Sequence, residues 1–141
     1  MATLKISDLS VGDWVKASGV AKRVHSIEYQ NGAYFVNFSD PDTNSEDYIH
    51  APFIEPIPIT AEILEKNGWR VIAKEVLGDD YEYHGEERVW DDENCSIEIC
   101  EAKQGVFWDS WSNEYYMWRL EYVHQLQHLI RLAGVDKEIN L

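Results

Sequence analysis

Acidic side chains are concentrated in one short segment, and their carboxylates are the groups here best placed to do chemistry. Ten residues in the segment 79–101 are Asp or Glu, and Arg88 is the only Lys or Arg among them. Paired carboxylates hydrolyse glycosides when they lie in a cleft with separated pKa values. Runs of like charge more often form a solvated face. The block therefore predicts a charged surface, with a carboxylate-dependent hydrolase as an alternative.

Aromatic residues are interleaved with this acidic block and continue beyond it. Large rings in a negative field are typical of a surface that anchors a basic or polar partner. Trp108 and Trp111 are expected near a turn, where rings are less easily buried. We call the predicted site the acidic aromatic surface. Its predicted binding residues are Trp108, Trp111, Trp90, Tyr83, Asp91, Asp92, Glu93, Glu86 and Glu87.

Two histidines are weak candidates for a metal site. His124 and His128 are four residues apart on a predicted helix, where two imidazoles can share an ion, and Glu121 could add a ligand. The sequence supplies no further ligand at a fitting spacing, so polar residues beside an apolar helix stripe are the preferred interpretation. No nucleophile elbow or phosphate-binding glycine loop is present either. We predict no catalytic residue, no metal and no cofactor.

Charge and composition narrow the class of protein. The 141 residues have a net charge of −14: residues 1–70 hold ten acids and six Lys or Arg (−4), and residues 71–141 hold sixteen and six (−10). Such a chain is repelled by duplex phosphates and anionic lipid, so we predict no direct nucleic-acid partner and no membrane. No signal peptide is visible, and Cys95 and Cys100 are expected to be free thiols. The expected location is the cytoplasm of a host cell.

The first part of the chain predicts a small β lobe over residues 1–59. Two alternating runs, 20–29 and 33–38, flank Asn31-Gly32, which is a strong hairpin signal. Short strands with close turns are typical of a small antiparallel barrel of the SH3 or Tudor kind. Three prolines predict that residues 51–59 form an extended connector.

The remaining residues, 60–141, predict an α+β lobe, and the two lobes are also compatible with one compact domain. Thr60 is placed to cap a short helix that ends at Asn67-Gly68. An antiparallel sheet is expected next, with strands at 69–76, 81–90, 95–102, 106–109 and 114–120. An apolar stripe from Val123 predicts an amphipathic helix that ends at Gly134 and packs on the sheet. Residues 135–141 are expected to add an edge strand or to fray.

Three segments resemble a family of small proteins from phages and prophages of gut Bacteroidota, whose function is not known. The segments are LSVGDWV at 9–15, FIEPIPITAEIL with KNGW at 53–69, and YVHQLQ at 122–127. Residues 70–118 carry no part of the resemblance. His128 stands where this family is expected to have Asn, which argues against the histidine pair as a family site. The resemblance implies a phage setting and no particular reaction.

Three functions fit these observations, and the sequence favours one without enzymatic activity. The preferred hypothesis is a phage-encoded accessory or inhibitor protein. It would contact a host or phage protein with a basic surface through the acidic aromatic surface, to counter host antiviral defence or to mimic nucleic acid. One alternative is a protein that binds or sequesters a nucleotide signal, for which a homo-oligomer could gather the few cations. The other is a metal- or carboxylate-dependent hydrolase.

Overall fold

The computed structural model describes residues 4–40, 45–50, 54–77, 84–92, 95–100, 105–110, 113–118 and 120–141. Side-chain burial is described for residues 4–38, 54–72, 86–92, 95–99 and 120–141. Within these residues the fold is α+β, with antiparallel strand pairs and two α-helices. The chain divides into two compact units: unit 1 is Met1–Pro58 with Tyr122–His124, and unit 2 is Ile59–Glu121 with Gln125–Leu141.

Unit 1 contains two three-stranded sheets, in the orders β2-β1-β6 and β3-β4-β5. A short 3-10 helix, Ile6–Asp8, precedes the strands. The strands are β1 Trp14–Ala17, β2 Val20–Arg23, β3 Ser26–Gln30, β4 Ala33–Asp40, β5 Ser45–His50 and β6 Ile54–Pro56. The predicted hairpin is confirmed, because Asn31 and Gly32 join β3 to β4 with φ of 51° and 83°. Both values are those a type I′ turn requires.

Two predictions for unit 1 need correction. The expected strand over 20–29 is two strands, because Val24 donates its N–H to Asp13 O (2.8 Å) and His25 donates to Asn37 O (2.8 Å). The chain thereby leaves β1 and begins to pair with β4. The expected connector contains β6, which pairs with β1. Pro56 is tolerated there because β6 lies at the edge of its sheet in the described residues.

The two sheets of unit 1 contribute to one apolar core. Its buried members are Leu9, Val15, Ala17, Val24, Val36, Phe38 and Ile54, which come from both sheets and the loops before them. The described strands form no closed ring of hydrogen bonds, since each sheet has its own two edges. The SH3- or Tudor-like barrel therefore stays a prediction.

Unit 2 begins with a capped helix and continues into a five-stranded sheet. Helix α1, Ala61–Lys66, follows Thr60, whose Oγ1 accepts from Ile63 N (3.2 Å), and Gly68 (φ 95°) ends it; the predicted N-cap is confirmed. The sheet order is β11-β10-β9-β8-β7. Its strands are β7 Arg70–Leu77, β8 His84–Asp91, β9 Cys95–Cys100, β10 Gly105–Ser110 and β11 Asn113–Trp118.

Helix α2, Val123–Leu132, follows the sheet along the chain. Its apolar stripe is buried at Val123, Leu126, Leu129 and Ile130. Packing of this stripe on the five-stranded sheet stays a prediction. Gly134 (φ 74°) ends the helix, and Val135 N donates to Ile130 O (3.1 Å).

The residues after α2 neither pair as a strand nor fray, so that prediction is wrong. Ile139 is buried, and Asn140 exchanges two hydrogen bonds with the side chain of Asn67. The burial of Ile139 and the amide of Asn67 thus hold residues 135–141 in place. The sequence of this segment has no strand periodicity and does not indicate either contact.

Candidate binding surface

Strand β8 carries most of the described part of the predicted acidic aromatic surface. Side chains alternate between the two faces of a strand, so Glu86 and Trp90 project from one face and Glu87 and Asp91 from the other. Glu86, Glu87 and Trp90 are half-buried, whereas Asp91 is exposed. The strand therefore divides these residues between two faces instead of gathering them on one.

An ion pair occupies the face that bears Asp91. Arg70 on β7 donates from Nη1 to Asp91 Oδ1 (2.9 Å) and from Nη2 to Oδ2 (3.1 Å), and both side chains are exposed. These bonds lower the pKa of the Asp91 carboxyl from its usual value and raise the pKa of Arg70. A bidentate pair of this kind fixes both side chains, although solvent limits what it adds to stability.

Arg88, the one cation in the acidic block, is buried on the opposite face. Only 6% of the surface of Arg88 is exposed. Its Nη2 pairs with Glu86 and lies 3.6 Å from Glu65 Oε1, while its Nε makes no hydrogen bond within the described residues. Both carboxylates reach further into solvent than the guanidinium does, so the exposed groups of these ion pairs are the acidic ones.

Trp90 belongs to an aromatic cluster that the end of the chain covers. Its ring lies 6.2 Å from that of Trp69, with the planes inclined at 41°. Lys137 Nζ is 5.4 Å from the Trp69 centroid and 5.1 Å from the Trp90 centroid, within the range of cation–π attraction. Burial lowers the pKa of Lys137. Trp69 Nε1 donates to Ile97 O (3.2 Å), so this cluster is also part of the core of unit 2.

Asp92 has a structural role in the turn that follows β8. Its Oδ1 accepts from Cys95 N (2.8 Å), and its backbone N donates to Cys95 O (2.9 Å). The side chain stays exposed while it closes the turn. The Asp92 carboxylate thus stabilises the turn and also contributes negative charge to the surface.

The other predicted residues are only partly described. Trp108 lies within β10, opposite Ile97 and Tyr115 in register. Tyr83, Glu93 and Trp111 lie outside the described residues. His124 is buried and stacks on Tyr122 (5.9 Å between centroids), and His128 is half-buried. The described residues contain no group of three or more potential metal ligands.

An exposed aromatic pair in unit 1 was not predicted. Tyr29 on β3 and Tyr34 on β4 face each other across the hairpin, with ring centroids 5.0 Å apart and planes inclined at 61°. Both residues are exposed, Tyr29 by 64% and Tyr34 by 45%. The sequence does indicate that the two tyrosines are opposed, since each stands two residues from the Asn31-Gly32 turn. It does not indicate that they are exposed, because strand alternation places them on the same face as the core residues Ile27 and Val36.

The fold and this surface define an acidic α+β protein with two compact units. No protein family, no curated protein and no solved structure matches the chain. The resemblance to phage proteins therefore stays a prediction. Among the described residues, no helix has the length and apolar character needed to cross a membrane.

Proposed function

We propose that this chain is a non-enzymatic binding protein that docks onto a partner protein with a basic surface. The carboxylates on and beside β8 would supply the contact. The single observation that carries this proposal is that Arg88 of β8 is buried, while Glu86, Glu87 and Asp91 of the same strand reach the surface. A partner therefore meets the carboxylates before the guanidinium, and exposed negative groups steer and select a positively charged partner.

The local charges support this choice of partner. Five carboxylates lie on or beside β8, distributed over both of its faces: those of Glu65, Glu86, Glu87, Asp91 and Asp92. The cations near them are Arg70 and Arg88, which form ion pairs, and Lys137, which lies over the Trp90 ring. Five negative charges against three positive ones leave a local excess of −2, in a chain whose total is −14. Polyanions such as duplex DNA would be repelled. Trp90 would add apolar contact area where its half-buried ring reaches the surface.

The biological setting is a further part of the proposal and depends on the resemblance of residues 9–15, 53–69 and 122–127 to phage proteins. In that setting the protein would act in the host cytoplasm as an accessory protein or inhibitor, including one directed against antiviral defence. Carboxylates that replace phosphates in a nucleic-acid-binding site would be one form of such inhibition.

The finer architecture in this proposal is an SH3- or Tudor-like arrangement of unit 1 and a helix α2 that packs on the sheet of unit 2. The shared core of the two small sheets supports the first. The buried apolar stripe of α2 supports the second. Both are common ways for short antiparallel sheets to bury their apolar faces.

The test is capture of partners from a nuclease-treated lysate of a gut Bacteroidota strain, with quantitative mass spectrometry of the retained proteins. The variant is Glu87→Gln with Asp92→Asn, which removes two charges and keeps an oxygen at position 92 to accept from Cys95 N. The matched control is Asp8→Asn with Glu55→Gln, two exposed carboxylates of unit 1. Both variants have a net charge of −12, two above the −14 of the native chain.

We expect a basic protein that is retained by the native chain and the control, and is lost with the β8 variant or at high salt. Equal loss with both variants would show that total charge, and not β8, determines capture. Retention that is independent of salt and of both variants would refute the proposal.

A further inference from the structure

We propose that Tyr29 and Tyr34 form a second docking surface, which takes an arginine or lysine side chain from a basic segment of a partner protein. We call this surface the tyrosine pair. It lies at the end of the β3–β4 hairpin, which belongs to unit 1, whereas β8 belongs to unit 2. The partner's basic character rests on the proposed function, whereas the site rests on separate observations.

The hairpin register explains why two rings are presented together. Tyr29 and Tyr34 are directly opposed, and Ile27 and Val36 form the next opposed pair on the same face. Val36 is fully buried in the core of unit 1, and Ile27 packs against that core. The tyrosines continue this apolar face beyond the end of the core, so their rings reach solvent.

The geometry holds the pair ready for a ligand. The rings meet edge to face with centroids 5.0 Å apart, an arrangement that aromatic pairs favour. The two-residue turn, with Asn31 and Gly32 at positive φ, restricts the hairpin end. A partner therefore loses little free energy to ordering this site when it binds.

Charge and ring chemistry select a cationic occupant. Residues 26–38 contain no Lys or Arg that would repel a cation, and their one charged side chain, Glu28, lies on the opposite face of β3 and accepts from Gln30 Nε2 (3.0 Å). Aromatic faces attract guanidinium and ammonium groups. This chain already uses that contact elsewhere: Arg23 lies 5.4 Å from the Trp14 ring centroid, and Lys137 covers Trp69 and Trp90. In the part of the chain that the structure describes, these contacts engage tryptophans and leave the tyrosine pair to solvent.

Nuclear magnetic resonance with a defined probe tests this inference. The probe is a short blocked peptide of Gly and Ser that carries two arginines, and its counterpart carries Gln in their place. Titrations are run at about 0.15 M NaCl, where the Debye length of about 8 Å screens the distant charges. The variants are Tyr29→Ala, Tyr34→Ala and the double Tyr→Phe, with Val20→Ala as the control at another exposed apolar residue of unit 1.

We expect the arginine peptide to shift the ring resonances of Tyr29 and Tyr34, and the glutamine peptide to leave them unchanged. Each Tyr→Ala change should weaken peptide binding by about two- to fivefold, the range that one exposed cation–π contact supplies. Tyr→Phe should keep most of the affinity, because a phenyl ring retains the attractive face. Val20→Ala should keep all of it.

Two outcomes would overturn the inference: equal ring shifts with the glutamine peptide, or unchanged affinity in both Tyr→Ala variants. Glu87→Gln with Asp92→Asn separates this result from the proposed function. That variant should leave the peptide titration unchanged, so failure at β8 and failure at the tyrosine pair give different results.

Discussion

Asn67 shows how one side chain can hold a chain terminus in place. Its Nδ2 donates to Ile63 O and to Asn140 O (both 2.8 Å), and its Oδ1 accepts from Asn140 N (2.7 Å). The amide therefore ends helix α1 and binds the tail with the same group. Asn before Gly predicts the end of a helix, but the second role depends on a residue 73 positions away.

Asn67→Ala should lower the free energy of unfolding by about 2–3 kcal/mol, since three hydrogen bonds of about 1 kcal/mol each are lost at a buried group. Denaturant unfolding monitored by tryptophan fluorescence measures this, because Lys137 of the same tail covers two tryptophan rings. The control is Asn140→Ala, whose backbone makes the bonds and whose side chain is exposed. A large loss in the control would contradict this account.

Replacing Arg88 and replacing its two carboxylate partners should change the stability of the fold in opposite directions. Arg88 is a buried guanidinium whose Nε makes no hydrogen bond within the described residues, and its burial costs desolvation free energy that its partners only partly return. Arg88→Met should therefore leave stability unchanged or raise it by up to about 1 kcal/mol, because Glu65 and Glu86 remain in contact with water. Glu65→Gln with Glu86→Gln should lower stability by about 1–2 kcal/mol, since the buried charge then loses both partners. Chemical denaturation at neutral pH measures both; a lower stability for Arg88→Met than for the glutamine pair would contradict the argument.

Helices and strands were predicted correctly from the sequence where residues within one short segment determine the structure. The Asn31-Gly32 hairpin and the Thr60 cap follow from residues that lie within a turn of each other. The break between β2 and β3 does not, because it depends on bonds from Val24 to Asp13 and from His25 to Asn37. Strand β6 was missed for a related reason: proline argues against a strand unless the strand lies at an edge, and edges are set by the whole sheet.

The sequence predicted which residues belong to the candidate site, but not how strand β8 arranges their side chains. The sequence identified Trp90, Asp91 and Glu86 as members of one charged segment. It did not reveal that alternation along β8 separates Asp91 from Glu86 and Trp90, or that Lys137 arrives from the end of the chain to cover Trp90. A run of charged residues shows only that they are close in sequence. Which of them share a surface depends on strand register and on the position of residues 135–141.

The β3–β4 turn offers a direct test at this scale. Gly32→Ala should lower stability by about 1 kcal/mol, because an L-residue at φ 83° is strained. Space is not the cause, since the nearest atom to a Cβ at this position would be Tyr29 Oη, 4.0 Å away. Asn31→Gly is the control and should change stability by less than about 0.5 kcal/mol, because Gly-Gly also fits this turn. Thermal unfolding followed by circular dichroism compares the two, and equal losses would contradict a type I′ turn.

The whole molecule is governed by an excess of negative charge. The chain holds 26 acidic residues against 12 Lys and Arg, and the described ion pairs of β8 offset only part of that excess. Self-repulsion of this kind destabilises a compact state while it keeps the protein soluble. Salt should therefore stabilise the fold by screening, even though it weakens individual pairs such as that between Arg70 and Asp91.

Stability should consequently rise with NaCl, and most of the rise should come below about 0.2 M, where the Debye length falls to about the spacing of neighbouring surface charges. Calorimetric Tm at neutral pH measures it. A variant that combines Asp8→Asn, Glu55→Gln, Glu87→Gln and Asp92→Asn has a net charge of −10, four above the native −14, so its Tm should start higher and rise less. If Tm rose equally in both proteins, screening of these four charges would not be the cause of the rise. If Tm fell with salt, attraction within ion pairs would outweigh repulsion. The acidic excess would then serve partner selection without a cost to the fold.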